Sequence, residues 1–342
     1  MFLPVLVLHR YGWEGFAVFA IPNIVGCTLF GYIVRTPERS RALVEKYARA
    51  MSLFAIVTIA FHAFFISILL LMQYDNLGNW MSVLIPIVII VVGGCLSFLP
   101  SRTLPILALV IWVASLVVGF TLLPLETEIT QERPWQDVLW LAPITIFGFL
   151  LCPYLDPTFH KAIQSSPSKH AFGVFGLAFA IMIAVTCLYH DVVMKTITLG
   201  IGVHLVAQTL FTIGVHFKEG ATVGEQTNRR RFVVIALLAS IIAIGIAHRP
   251  QAVEEGLVND YLRFFVFYGL VFPGIVSTFM LAKRAFTPMR IAMFCVVALA
   301  SLPLLEQGYI GESPWLSVLP VVALLVWLFT SSKCPGCQVP CK

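Results

Sequence analysis

Long unbroken runs of apolar residues, separated by short polar gaps, dominate this chain. A helix that crosses the hydrocarbon core of a bilayer needs roughly 20 apolar residues. Eleven such stretches can be placed, at about 12–34, 50–72, 80–99, 104–124, 135–155, 170–190, 195–216, 231–247, 261–282, 288–306 and 315–331. Runs such as Val83 to Val92 do not alternate, so they read as helices and not as strands of a membrane barrel. The predicted fold class is therefore all-α, a polytopic integral membrane protein. Residues 1–333 form one transmembrane domain, and residues 334–342 form a short cysteine-containing cytoplasmic tail.

The gaps carry the next signal. Of the 22 Lys and Arg residues, seventeen fall in every second gap or in the tail. Gap 35–49 alone holds Arg35, Arg39, Arg41, Lys46 and Arg49. The alternate gaps hold Arg10, Arg133, Lys195, Arg249 and Arg263, together with most of the acids, among them Glu126, Glu128, Glu132, Glu254, Glu255 and Asp260. Positive charge collects on the cytoplasmic side. The expected topology has the N-terminus outside, the C-terminus in the cytoplasm, and the chain in the cell (inner) membrane.

Composition agrees. The chain is 59% hydrophobic and 11% charged, with a mean hydropathy of +0.92, against about 25% charged for a soluble domain. The bilayer is its solvent, and the net charge of +5 expresses topology without a nucleic-acid partner. MFLPVLVLHRYG has too short an apolar run for a cleavable signal peptide and lacks a small-residue cleavage site. An N-out start with so short a leader suggests that a further helix precedes it. Gap 35–49 has helical composition and is expected to form a short interfacial helix. Gap 217–230, rich in Gly and polar residues, is expected to be a mobile loop.

Candidate chemistry is confined to polar residues and helix breakers inside the spans, where polar groups are costly. His204, Gln208, Thr212 and His216 recur every four residues in the seventh span and share one helix face. That face reads either as a hydrophilic or proton-linked pathway or as an interhelical hydrogen-bond seam. His216 lies near the cytoplasmic end and is expected at the interface. His62 sits mid-span among aromatics. Asn23 follows Pro22 and is placed to cap the carbonyls that the proline frees. Pro143 and Gly148 put two breakers near the middle of the fifth span, the best place for an opened helix of the kind that binds solutes. At the cytoplasmic junction, Asp156 before Pro157 should cap a short helix that carries His160. His190 and Asp191 flank the sixth span as an interfacial pair.

Five cysteines lie in or at the ends of the spans and read as small buried hydrophobes. The tail cysteines Cys334, Cys337 and Cys341 include a CxxC pair, a spacing that can share a metal or form a redox couple. A closed zinc site needs one more ligand, and the tail has no His; a plain or palmitoylated end is the other reading. No other cofactor is expected. HExxH, P-loop and GxSxG motifs are absent, so the chain does not read as an enzyme.

RYGWEGFAVFAIPNIVGCTLFGYIVRTPERSRALVEKYARAMSLFAIVTIAF, from Arg10, resembles the second and third core helices of the sodium:solute symporter family. LCPYLDPTFHKAIQSSPSKHAFGVFGLAFAI, from Leu151, is similar to that family's sixth-to-seventh core junction, with Thr158, Phe159 and His160 where the family has a Gln-Arg pair. The resemblance implies a five-plus-five inverted-repeat bundle lacking its first core helix. The span matching the eighth core helix reads VHLVAQTLFT in place of Ser/Thr sodium ligands, so no sodium site carries over. The expected function is that of a secondary-transporter-like membrane protein for a small solute, proton-coupled through His204 and its neighbours. The alternative is a degenerate transporter fold acting as a sensor, assembly factor or partner subunit.

Overall fold

The computed structural model describes residues 2–73, 79–121, 133–166, 168, 170–189, 199–223, 229–249, 254–282 and 286–330. Among these the chain is helical, with no strand. Twelve α-helices follow one another: α1 (Phe2–Val34), α2 (Pro37–Gln73), α3 (Asn79–Leu96), α4 (Thr103–Thr121), α5 (Val138–Leu151), α6 (Pro157–Ser165), α7 (Ala171–Thr186), α8 (Leu199–Val223), α9 (Arg229–Ala247), α10 (Glu254–Ile275), α11 (Pro288–Tyr309) and α12 (Val318–Thr330). Eight described helices are long and apolar enough to cross a membrane, and three shorter apolar helices accompany them.

Burial varies widely along the bundle. In the most apolar window of α2, 67% of residues are buried; in that of α4, 11%. Leu109, Val113 and Phe120 of α4 are exposed, as are many other large aliphatics. In water such a surface would be unstable; here it is the face offered to lipid. The helices gather into two packed groups. In one, α2 touches α3, α8 and α9, and α3 touches α8; in the other, α1 packs on both α5 and α7. Helix α10 bridges them by packing against α5 and α2.

Helix α1 is two helices. Gly12 adopts φ 69° and ψ −160° between them, a conformation that favours glycine. The stub before it is hydrophobic all round and correspondingly buried: Val5 and Leu8 are fully enclosed. Phe2 packs edge-on against Tyr261 of α10 at 5.0 Å and against Phe65 of α2 at 5.6 Å. Past the kink, α1 presses against α5 so closely that a Cβ on Gly26 would collide with the Phe149 carbonyl.

One expectation about the gaps needs correction, and one is met. Gap 35–49 forms a short helix from Pro37, as expected; at Tyr47 (φ −116°, ψ 19°) the backbone leaves helical geometry and kinks into the long apolar part of α2. Between Pro37 and Gln73 there is no Gly and no internal Pro to stop the helix, and Tyr47 ties the bend down by donating to the Phe279 carbonyl at 3.3 Å. Residues 217–223 are also helical, as the last turns of α8. Buried Phe217 and Ala221 hold them there, and Lys218 donates to the Leu99 carbonyl.

The prolines differ in effect. α1, α3 and α5 remain helical through Pro22, Pro86 and Pro143. α10, by contrast, changes form three residues after Pro273 and ends in a π-helical turn, Val276–Leu281. The fifth span breaks later than expected, in a 3-10 turn at Cys152–Leu155.

Candidate functional site

A cavity of about 360 Å³ lies where α1, α2, α5, α7 and α10 meet. Eight phenylalanines line it. The polar groups that reach it are few: Asn23 of α1, Thr58 and His62 of α2, Asp156 after the 3-10 turn, and Tyr261 and Tyr268 of α10. Gly148 also lines it, beside Gly269, where α5 and α10 cross. No Lys or Arg does. An apolar pocket with a few convergent polar groups is the usual form of a small-molecule site.

Asp156 reaches the cavity because it caps α6. Its Oδ1 accepts from the Thr158 backbone N–H at 2.8 Å and from the Thr158 hydroxyl at 2.7 Å, the capping role its place before Pro157 predicts. The same oxygen lies 3.6 Å from Nε2 of His216. His216 is not interfacial: it is 5% exposed, deep against Phe54.

The state of that imidazole follows from its other nitrogen. Nδ1 of His216 lies 2.8 Å from the Thr212 carbonyl, one turn back. A carbonyl only accepts, so Nδ1 carries hydrogen. A neutral ring would then turn the lone pair of Nε2 toward a carboxylate. Two acceptors at this separation repel in a medium of low dielectric. At 3.6 Å the two make no direct hydrogen bond, and Nε2 has none among the described residues; a proton held by either partner removes the repulsion. His62 uses the same local bond, Nδ1 donating to the Thr58 carbonyl at 2.7 Å, which leaves Nε2 as the acceptor of the neutral ring. His248 repeats the motif, with Ile244, and its Nε2 meets the Ser82 hydroxyl at 2.7 Å.

The other residues of the polar face of α8 do something different. His204 Nδ1 and Gln208 Nε2 both reach Ser115 of α4, at 3.1 and 3.3 Å. Ser115 passes its own proton to the Ile111 carbonyl at 2.6 Å, so His204 and Gln208 are the donors. Thr212 donates back to Gln208 at 2.9 Å. This is an interhelical seam, and none of the three lines the cavity. His160 is fully buried and equally committed: Nε2 donates to the Tyr154 carbonyl at 3.0 Å and Nδ1 meets the Ser40 hydroxyl at 3.0 Å. Burial pushes its pKa below the usual histidine range.

Comparison of the chain with protein-family models, curated proteins and solved structures returns no match. The site therefore rests on its own geometry. Of the residues singled out from sequence, Asn23, His62, Gly148 and Asp156 converge on the cavity, while Pro143, His204, Gln208, Thr212 and His160 do not line it. Asn23 does not cap carbonyls freed by Pro22; its side-chain oxygen accepts from the Cys27 thiol at 3.7 Å. Thr58 and Tyr268 were not foreseen, since a lone Thr or Tyr in an aromatic span has no spacing signal. Cys27 and Cys152 are buried as expected of small hydrophobes, whereas Cys95 and Cys295 are exposed on the apolar surface. Among the described residues no three His, Cys, Asp or Glu side chains are grouped to hold a metal. Cys334, Cys337 and Cys341, with His190 and Asp191, lie outside the described residues.

Proposed function

We propose that this chain is a secondary-transporter-like membrane protein that binds a small solute in the Asp156 cavity and couples its passage to a proton. The carrying observation is that Asp156 stands in the cavity wall with His216 behind it, 3.6 Å away, a pair that repels unless one of the two holds a proton. Among the described residues the cavity offers one carboxylate and no basic side chain. It suits a small, largely apolar solute with a cationic or hydrogen-donating end. A cationic end that pairs with Asp156 takes over the part of the proton held by that pair, so binding and proton release are linked.

The proposal includes eleven spans, with the N-terminus outside and the C-terminus in the cytoplasm. The three shorter apolar helices raise the eight long ones to that number. The exceptions to the charge rule support the orientation, because those described are tied to the protein. Arg10 and Arg133 donate to the Tyr309, Ile310 and Gly311 carbonyls at the end of α11, and basic groups are favourable at a helix C-terminus. Arg249 and Arg263 pair with Asp260, and Arg263 forks onto Glu306 at 2.6–3.2 Å. A five-plus-five repeat accounts for part of the helix packing. Counting spans without the short α6, three of the five helix pairs that lie five apart pack together, α1 with α7, α2 with α8, and α3 with α9.

Proton-coupled uptake into proteoliposomes across a panel of amines and neutral solutes tests the reading. Flux that Asp156→Asn abolishes and His204→Ala preserves supports it; no flux across the panel overturns it. Leu3 of the buried stub forms part of the cavity wall, and this favours the second reading, a transporter-like fold that senses or assembles without transport. In that case solute binds without flux.

A further inference from the structure

A second cavity, about 690 Å³, opens between α1, the start of α2, α5 and the π-helical end of α10. Its wall runs from Gly26 along successive turns of α1, a span of about 10 Å at 1.5 Å per residue. Most of that wall is apolar, and Leu29, Ile33 and Leu281 are 44%, 54% and 58% exposed. One edge differs. Arg39 and Lys46 both line it, two turns apart on one face of α2, and among the described residues no Asp or Glu does. Both side chains are exposed, and neither pairs with a carboxylate among the described residues; the neighbouring ion pair is Arg41 with Glu38 at 3.7 Å. Lys46 also lies 5.3 Å from the Tyr47 ring. Two cations at the mouth of an otherwise apolar groove match a ligand with an anionic head and a hydrocarbon tail.

We infer that this groove seats one anionic phospholipid. Its phosphate lies on Arg39 and Lys46, and one acyl chain runs along Ile33 and Leu151 toward Gly26. Basic pockets between membrane helices recognise anionic headgroups in this way, and each basic residue strengthens the attraction. The basic edge lies at the end of the bundle where the chain concentrates its positive charge, the side that faces the anionic leaflet. The inference rests on the chain being a membrane bundle and is independent of whether it transports.

The test is native mass spectrometry of the detergent-solubilised full chain with phosphatidylglycerol or phosphatidylcholine added. The expected result is retention of phosphatidylglycerol roughly tenfold or more above phosphatidylcholine, from two basic contacts. The double variant Arg39→Ala with Lys46→Ala loses that preference, while Arg102→Ala, an exposed cation outside the groove, keeps it. Ala42→Trp, which fills the groove from its exposed edge, lowers retention of phosphatidylglycerol. Unchanged thermal stability of the lipid-free variants shows that they are folded. Equal retention of the two lipids, or equal loss in Arg102→Ala, overturns the proposal. So does inorganic phosphate alone displacing phosphatidylglycerol completely at millimolar concentration, or a lipid-free dimer that Ala42→Trp dissolves.

Discussion

His204 and His216 stand on one face of one helix, twelve residues or about 18 Å apart, and their surroundings give them opposite roles. His204 donates to a serine hydroxyl that also receives Gln208 and hands its own proton to a carbonyl. These bonds are made without a carboxylate or any other charged partner. His216 faces a carboxylate that already caps another helix. That end of the face holds charge or a proton, and it borders a cavity. A four-residue polar repeat thus marks a buried face without saying what the face does; the facing helix decides. Across from His204 is the lipid-exposed α4, where a seam is enough, and across from His216 is the broken end of α5, where the backbone leaves its helix and a carboxylate comes in.

The largest effect that sharpens this contrast comes from removing one member of the pair. His216→Ala leaves the Asp156 carboxylate without its partner in a nearly enclosed place and should cost about 3 kcal/mol. Adding Asp156→Asn should restore part of that loss. Thermal unfolding in detergent of the two single variants and the double variant gives the coupling. Equal and additive losses would break the comparison at its stronger end.

Gly26→Ala comes next. Its new methyl group meets the Phe149 carbonyl and must push α1 from α5, at about 1–3 kcal/mol. Because these helices carry Asn23 and Gly148, solute affinity should fall in the same variant, as measured by equilibrium binding. A variant of normal stability and affinity would show that this crossing does not set the cavity. His204→Ala should cost only about 1 kcal/mol or less, the value of one hydrogen bond between membrane helices, and leave flux intact.

The smallest effect is in pH. Burial lowers the pKa of His160, and its Nε2–H and Nδ1 are both engaged in the neutral ring. The unfolded chain therefore binds the extra proton first, and stability falls as pH drops below the ordinary histidine value of about 6.5. His160→Gln should flatten the dependence of Tm on pH between 7 and 5; an unchanged slope would assign that dependence to other groups.

Much of the bundle was legible because the bilayer imposes simple rules. Apolar length placed the spans, and Asp156 before Pro157 announced the cap of α6. The seam was also legible as one of two readings of the α8 face. The short helix over gap 35–49 was legible from its composition, but its direct junction with the next span through the kink at Tyr47 was not, because that kink is held by the distant Phe279 carbonyl. The site was half legible. Asn23, His62, Gly148 and Asp156 stood out as polar or small residues in costly places, but nothing in the chain joins Asp156 to His216 across sixty residues. That pairing depends on how α5 ends and how far α8 extends, which are tertiary facts.

The most direct test of the central claim is nitrogen-15 NMR of histidine-labelled protein, with His216 assigned by its loss in His216→Ala. A proton drawn to His216 by the facing carboxylate predicts that Asp156→Asn moves the His216 Nε2 resonance toward that of a neutral, unprotonated ring while His204 stays in place. A His216 resonance that already matches a free neutral imidazole and ignores Asp156→Asn would contradict the account.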